Sequence, residues 1–350
     1  MGTVWRLQTR TDSKDGKKIS KYCLKHKVAA LGWSIKDDHI KKYNPEAIIE
    51  IQEKRRKIKN LDEYYDVVRK YGLYGINHKK HLVAVDMLTE VEKGDYIWMR
   101  DDGIYYLGYV GDNLRCNNNS SIGVPEYEAA NLRYKYDSSI DALEHDAANQ
   151  IVGIEWKPIG DESQVPGAVA TAFIRGRTIQ RINKSHMFEY AEYAFWGNPM
   201  VLENSNEAYL QQLFYNCLSP SDCEDLVCLY LYDKANYIAI PSTNKIATEL
   251  YECVLVNPSN GKLAYPQVKK GRDNLNINDY MELIKDNPNK EVYLFTTEGK
   301  VQGDIHINNI HGISPYELYN WTEEKIKNNS FLIPEGIVKW YKLIHSSKNS

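Results

Sequence analysis

A carboxylate at Glu252, with an amide and an ammonium two positions apart at Gln267 and Lys269, are the side chains of this sequence whose types and spacing suit one reaction. If 251–257 and 262–269 are strands joined through the turn Pro258-Ser259-Asn260-Gly261, the three share a face, because residues i and i+2 of a strand point the same way. The acid can bind a hard divalent cation through oxygen, so that the metal polarises a phosphodiester and a bound water. The lysine can hold or activate the nucleophile and offset developing negative charge. Metal-assisted phosphodiester hydrolysis is the chemistry this set allows.

The elements that must position these residues begin near residue 205. Helical spacing runs over 207–218 and 221–232, and Ser219-Pro220-Ser221-Asp222 is a helix start at which Ser221 or Asp222 can cap. Strands are expected at 237–240, 251–257, 262–269 and 291–296, a helix at 277–285, and closing helices at 315–327 and 334–344. Helix, hairpin, helix, strand is an α/β arrangement. Glu224 falls on the helix before the hairpin, and its neighbours Asp222 and Asp225 compete with it as caps or surface acids.

The first half reads as strands with one helical excursion. Strands are expected at 4–9, 28–33, 96–100, 104–110, 151–156 and 168–174, with a short helix at 19–25 and a charged helical stretch over 45–71. Asp101-Asp102-Gly103 predicts a hairpin, because Asp-Gly supplies the positive φ angles of a tight turn. The set suggests a small closed or half-closed β-barrel with helical decoration. The expected organisation is therefore mixed α+β and α/β: a domain over 1–180, a packed aromatic connector over 181–206 and a second domain over 207–350.

Composition bounds the function. A 350-residue chain, 43% hydrophobic and 26% charged, suits two globular domains. It has no run of eighteen apolar residues and no apolar stretch after Met1-Gly2-Thr3-Val4-Trp5-Arg6, so neither a membrane span nor a secretory signal is expected, and the expected location is cytoplasmic. Six scattered cysteines without a CxxC pair read as free thiols, and the histidine pairs His78/His81 and His306/His311 lack companion ligands for zinc. Net charge is -3 but uneven. Residues 1–60 hold sixteen Lys or Arg against seven Asp or Glu, the remainder 28 against 40, which leaves a basic surface able to meet polyphosphate.

Glu252, Gln267 and Lys269, with Glu224 on the preceding helix, resemble the PD-(D/E)xK nuclease superfamily in its QxK form, as in Mrr-like type IV restriction endonucleases. The resemblance spans roughly 207–300. It implies Glu252 as the metal-binding acid, Gln267 at the second motif position, Lys269 as the catalytic lysine and Glu224 as a supporting helix acid. The implied metal set is Glu252, Gln267, the Val268 backbone carbonyl and Glu224, holding Mg²⁺ or Mn²⁺. Two departures are that the first acid is usually Asp and that Gln267 brings no second negative charge, so one metal is expected.

Ala30-Leu31-Gly32-Trp33-Ser34, Lys93-Gly94-Asp95-Tyr96-Ile97-Trp98 and Tyr105-Tyr106-Leu107-Gly108-Tyr109-Val110 are similar to PUA-superfamily modules of the EVE and YTH kind. That resemblance, over roughly 1–180, implies a barrel that holds an extruded, often modified base, with Trp33, Ser34, Trp98 and Tyr105 as base-binding residues; Trp98 and Tyr105 also fit a barrel core. Together the two resemblances imply a modification-dependent DNA endonuclease in anti-phage defence, acting on double-stranded DNA with modified bases. A homodimer or larger homo-oligomer would cut both strands. The rivals are a nuclease switched on by a nucleotide signal in the N-terminal pocket and a non-catalytic nucleic-acid reader.

Overall fold

The computed structural model describes residues 2–9, 17–75, 78–111, 133–174, 176–184, 186–197, 200, 206–245, 250–285, 287–303 and 309–346. The chain is mixed α+β and divides into two compact units, residues 1–165 with 169–198, and residues 166–168 with 199–350. The aromatic segment expected as a connector is helical over Met187–Trp196 and groups with the first unit.

In the first unit, β1 (Val4–Leu7), β3 (Tyr96–Asp101), β4 (Ile104–Val110), β7 (Ile154–Gly160) and β8 (Ile179–Arg181) form a sheet in the order β7-β4-β3-β1-β8. A second sheet runs β2 (Val28–Leu31), β6 (Asn149–Val152), β5 (Tyr134–Tyr136). Among the described residues none of the sheets closes, so of the closed or half-closed barrel expected from the strand pattern the closed form is not seen. The β3–β4 hairpin is as expected: Asp102 and Gly103 take φ of 47° and 85°, the positive pair whose twist matches that of the flanking strands.

Trp5, Leu7, Ile97 and Met99 project from one face of the five-stranded sheet into a core shared with Ala29, Leu31 and Ile151 of the other sheet. Four helices add to that core: α1 (Ile19–His26), α3 (Ile48–Arg55), α4 (Leu61–Lys70) and α5 (His78–Thr89). Two short helices, α2 (Asp37–Tyr43) and α6 (Ile140–Glu144), lie between these elements in the chain. The buried Asp95 carboxylate accepts from the Thr3 amide at 2.6 Å, Trp5 Nε1 at 2.7 Å and the Glu92 amide at 2.9 Å, joining the turn before β3 to β1. Residues 168–174, read as a strand, overlap the helix α7 (Gly167–Ala172). Val169 and Ala170 are its buried hydrophobic positions and Phe173, one residue past its end, is buried too, a spacing that is that of one helix face after Pro166. Helix α8 (Met187–Trp196) closes the unit.

The second unit is built on a five-stranded sheet, β15-β13-β11-β10-β9, made of β9 (Ile238–Ala239), β10 (Leu255–Val256), β11 (Leu263–Lys269), β13 (Lys290–Thr296) and β15 (Ile310–Ile313). β11, β13 and β15 are parallel; β9, β10 and β11 are antiparallel. Two further strands, β12 (Leu275–Asn276) and β14 (Val301–Gln302), pair with each other. One side of the sheet packs on α9 (Glu207–Cys217), through Tyr215 against Phe295, and α9 in turn meets α12 (Pro315–Lys327) and α13 (Glu335–Ser346). The other side buries Tyr265, Val292 and Leu294 with Ile277 and Tyr280, just before the short α11 (Met281–Ile284).

The helix that carries Glu224, α10, spans Pro220–Ala235. Its cap is Ser219, not Ser221 or Asp222: Pro220 takes the first helical position, where its missing N–H costs nothing, and Asp222 closes a capping box on Ser219. No helix among the described residues is long and apolar enough to cross a membrane.

Candidate active site

β11 is the central strand of the second sheet, and Gln267 and Lys269 share a face at its C-terminal end. Glu252 approaches from the other arm of the hairpin. That arm pairs only over Leu255–Val256, and the register Leu255↔Ala264, continued outward, leads Glu252 to Gln267. The Glu252 amide donates to the Pro266 carbonyl at 2.9 Å, which ties the irregular arm to the strand.

Two contacts then organise the polar atoms. Gln267 Nε2 donates to Glu252 Oε1 at 2.8 Å, and the Val268 amide reaches the same oxygen at 3.4 Å. Because N–H and C=O of one strand residue point to the same edge, the Val268 carbonyl lies on the edge that faces Glu252. Gln267 is 1% exposed, and its Oε1 has no hydrogen-bond partner among the described residues. A buried amide oxygen is seldom left that way.

Glu224 joins the group from α10. Burial first, then the charges of Glu252 and Asp225, push its carboxyl up to about 7, while Lys269 pulls it down. The carboxyl of Asp225 is raised by burial and by Asp222, and Asp222 is taken up in the capping box with Ser219. Of the three neighbouring acids, Glu224 is the one coupled to both Glu252 and Lys269. The structure thus brings together all four residues expected at the catalytic centre.

These residues fit a hard divalent cation. Two carboxylates, an unpartnered amide oxygen and a backbone carbonyl are oxygen donors of the kind Mg²⁺ or Mn²⁺ takes, and a cation would relieve both the orphaned Gln267 oxygen and the repulsion between Glu224 and Glu252. No group of three or more His, Cys, Asp or Glu side chains able to hold a metal occurs among the described residues, so the set depends on Gln267 and the carbonyl. His306 and the side chains of His78, His81 and Lys245 lie outside the described residues. The five described cysteines are free thiols, and Cys228 and Cys253, beside the site, approach to 3.8 Å between sulfurs.

The four residues expected at a base pocket fall into two clusters. Trp33 is half-buried and holds φ of 73°, a strained value for a bulky residue. Its carbonyl accepts from Tyr74 at 2.6 Å, Tyr64 at 2.9 Å and Asn149 at 3.1 Å, and these bonds hold the backbone there. Ser34 is fully buried; its amide donates to Asp146 and its hydroxyl accepts from Ala148. Trp98 and Tyr105 are also fully buried, on the sheet face opposite Ile97 and Met99, against Tyr190 and Phe173. Of the four, only Trp33 presents surface to solvent.

The basic run at 54–59 is split as well. Arg55 is buried and its Nη1 donates to the Ile35 carbonyl and to Asp37, each at 2.7 Å, while Lys54, Arg56, Lys57 and Lys59 are exposed. Sequence reasoning passed over Arg6, a buried guanidinium in the otherwise apolar run Val4-Trp5-Arg6-Leu7; a lone charge inside a strand of that composition was the available signal. The chain matches no protein-family model, no curated protein and no solved structure.

Proposed function

We propose that the second unit is a metal-dependent nuclease centre of the PD-(D/E)xK type and that the protein cleaves double-stranded DNA carrying modified bases, read by a PUA-like first unit. The observation that carries this reading is the buried Gln267 amide oxygen, without a partner, beside Glu252 and within the group that includes Glu224 and Lys269. Glu252, Gln267, the Val268 carbonyl and Glu224 would hold the cation, which supplies Lewis acidity toward a phosphate oxygen and acidifies a water. Lys269, two residues beyond Gln267 on the same face, orients the attacking water and balances charge on the pentavalent phosphorus. Gln267 brings no negative charge, which favours one cation per site.

In the first unit, the exposed part of Trp33 offers a stacking surface to an extruded base, and Lys54, Arg56, Lys57 and Lys59 offer phosphate contacts. Hydrolysis of both strands would use two copies of the chain. The test is a digest of unmodified, methylated, hydroxymethylated and glucosylated DNA with Mg²⁺ or Mn²⁺ and no nucleotide. Cleavage confined to modified substrates is expected; no cleavage of any of them with either metal would refute the reading.

A further inference from the structure

Arg6, Trp98 and Tyr105 stand together on one face of the five-stranded sheet of the first unit. Arg6 is in register with Trp98, Trp98 with Leu107, and Tyr105 precedes Leu107 by two. The rings of Phe173 and Tyr190 cover them: Phe173 meets Tyr105 edge-on at 5.4 Å and lies 5.8 Å from Arg6 Cζ, and Tyr190 runs nearly parallel to Trp98 at 6.2 Å. None of the three polar side chains is more than 1% exposed.

Four atoms in this enclosure lack a hydrogen-bond partner: Arg6 Nε, Arg6 Nη2, Trp98 Nε1 and the Tyr105 hydroxyl. Protein interiors hold few such atoms, and here they are gathered. Nε and Nη2 form the edge of a guanidinium that grips a carboxylate or phosphate through two parallel hydrogen bonds. Indole N–H donates only, and the phenol can donate. Burial lowers Arg6 to about 10; burial raises the Tyr105 hydroxyl, Arg100 lowers it, and the Glu162 carboxylate, within hydrogen-bond reach of it, raises it. Over Nη2 the chain passes as Gly176, exposed and at φ of 136°, where a Cβ would stand 2.4 Å from the nitrogen.

The geometry points to a binding site for a small oxyanion, a phosphate or carboxylate group, gripped by the Arg6 edge and capped by the Trp98 and Tyr105 donors. Donors gathered on one sheet face, two of them on a cation, call for a compact group rich in lone pairs and negatively charged; a neutral acceptor would leave the guanidinium uncompensated. Trp98 and Tyr105 act here through their polar atoms, not as faces for a base, and the site stands independently of the nuclease reading.

Calorimetric titration of the full chain with inorganic phosphate, acetate and deoxycytidine 5′-monophosphate tests it and separates phosphate from carboxylate ligands. At least one is expected to bind, about tenfold more weakly in Arg6→Lys, which keeps the charge but loses the paired edge, and roughly fivefold more weakly in Tyr105→Phe. Arg6→Met should bind none of them and should melt no earlier than the unliganded parent, since it removes an uncompensated buried charge. Absence of binding by all three probes, or equal binding by Tyr105→Phe and either Arg6 variant, overturns the site. Should Arg6→Met not fold, Arg6→Lys and Tyr105→Phe decide by the same criterion. DNA cleavage is read separately, so failure of the oxyanion site leaves the nuclease reading standing, and the reverse.

Discussion

Gln267 Nε2 donates to Glu252 Oε1 across 2.8 Å, and this single bond fixes which way the amide faces. An ionised carboxylate only accepts, so the nitrogen must turn toward Glu252 and the oxygen away from it. That oxygen is the one left without a partner in a side chain closed to solvent. The hydrogen bond therefore fixes the orientation of the Gln267 amide, and removal of either partner should free it to turn.

Lys269→Ala is expected to abolish cleavage while leaving DNA affinity and metal affinity close to those of the parent. In the proposed mechanism the lysine acts on the nucleophile and on transition-state charge, whereas affinity for DNA would be spread over many phosphate contacts. Cleavage rates and filter binding on the same preparation check this; a variant that still cuts at the parental rate removes Lys269 from the mechanism.

Glu252→Ala should be equally inactive for another reason. With Gln267 neutral, loss of Glu252 leaves Glu224 as the one carboxylate of the proposed set, and calorimetry should show Mg²⁺ or Mn²⁺ binding at least about tenfold weaker. Undiminished metal binding would move the cation elsewhere.

Glu224 gives a pH signature. Its folded pKa of about 7 lies above the ordinary 4.5, so the folded state holds this proton more tightly than the unfolded chain does. The stabilisation from protonation is complete below about pH 4.5 and is lost as pH rises through about 7. Metal-free protein should thus melt earlier at about pH 8 than at about pH 5 from this group, and Glu224→Gln should flatten that part of the profile. A cation offsets the paired carboxylates, so its stabilising effect should be larger on the alkaline side. Identical melting profiles in parent and Glu224→Gln would contradict the shift.

Trp33 and Trp98 should part company. Loss of a stacking ring in Trp33→Ala is expected to cost about 1–3 kcal/mol of affinity for modified DNA, and binding to unmodified DNA should change little. Trp33→Gly is the cleaner variant, because glycine accepts the positive φ without strain. Trp98→Ala instead should cost about 3–5 kcal/mol of stability, since its ring is sealed in the interior. Melting curves and binding isotherms on the three variants separate the roles; a Trp33→Gly protein that keeps its full preference for modified DNA would place the base elsewhere.

Much of the second unit was legible because its signals are local. β11 begins one residue from the expected 262 and ends on the expected Lys269, and its period of two puts Gln267 and Lys269 together. What was not legible depends on distant partners. Glu252 sits on backbone that leaves the ladder, held by one bond to Pro266, a fact no strand pattern contains. The choice of Glu224 over Asp222 followed from Pro220, whose ring sets the start of the helix and so the rotation of every residue after it. In the first unit, residues 168–174 read as a strand from their short apolar run, a pattern a buried helix shares, and only the burial of Val169 and Phe173 on one side reveals the helix. Trp33 looks like the end of an apolar strand by composition; its positive φ is imposed by Tyr64, Tyr74 and Asn149, which lie 31, 41 and 116 residues away in the chain.

Lys270 follows the lysine of the site and does different work: its ammonium takes the carbonyls of Leu218 and Asn216, at the close of α9 and just before the capping box that starts α10. The sheet end and the root of the helix that bears Glu224 are thereby braced to each other without help from an ion. A frame braced in this way sets the spacing between α10 and the end of β11 from within the chain, so a cation taken at the proposed site would meet oxygen donors already spaced for it.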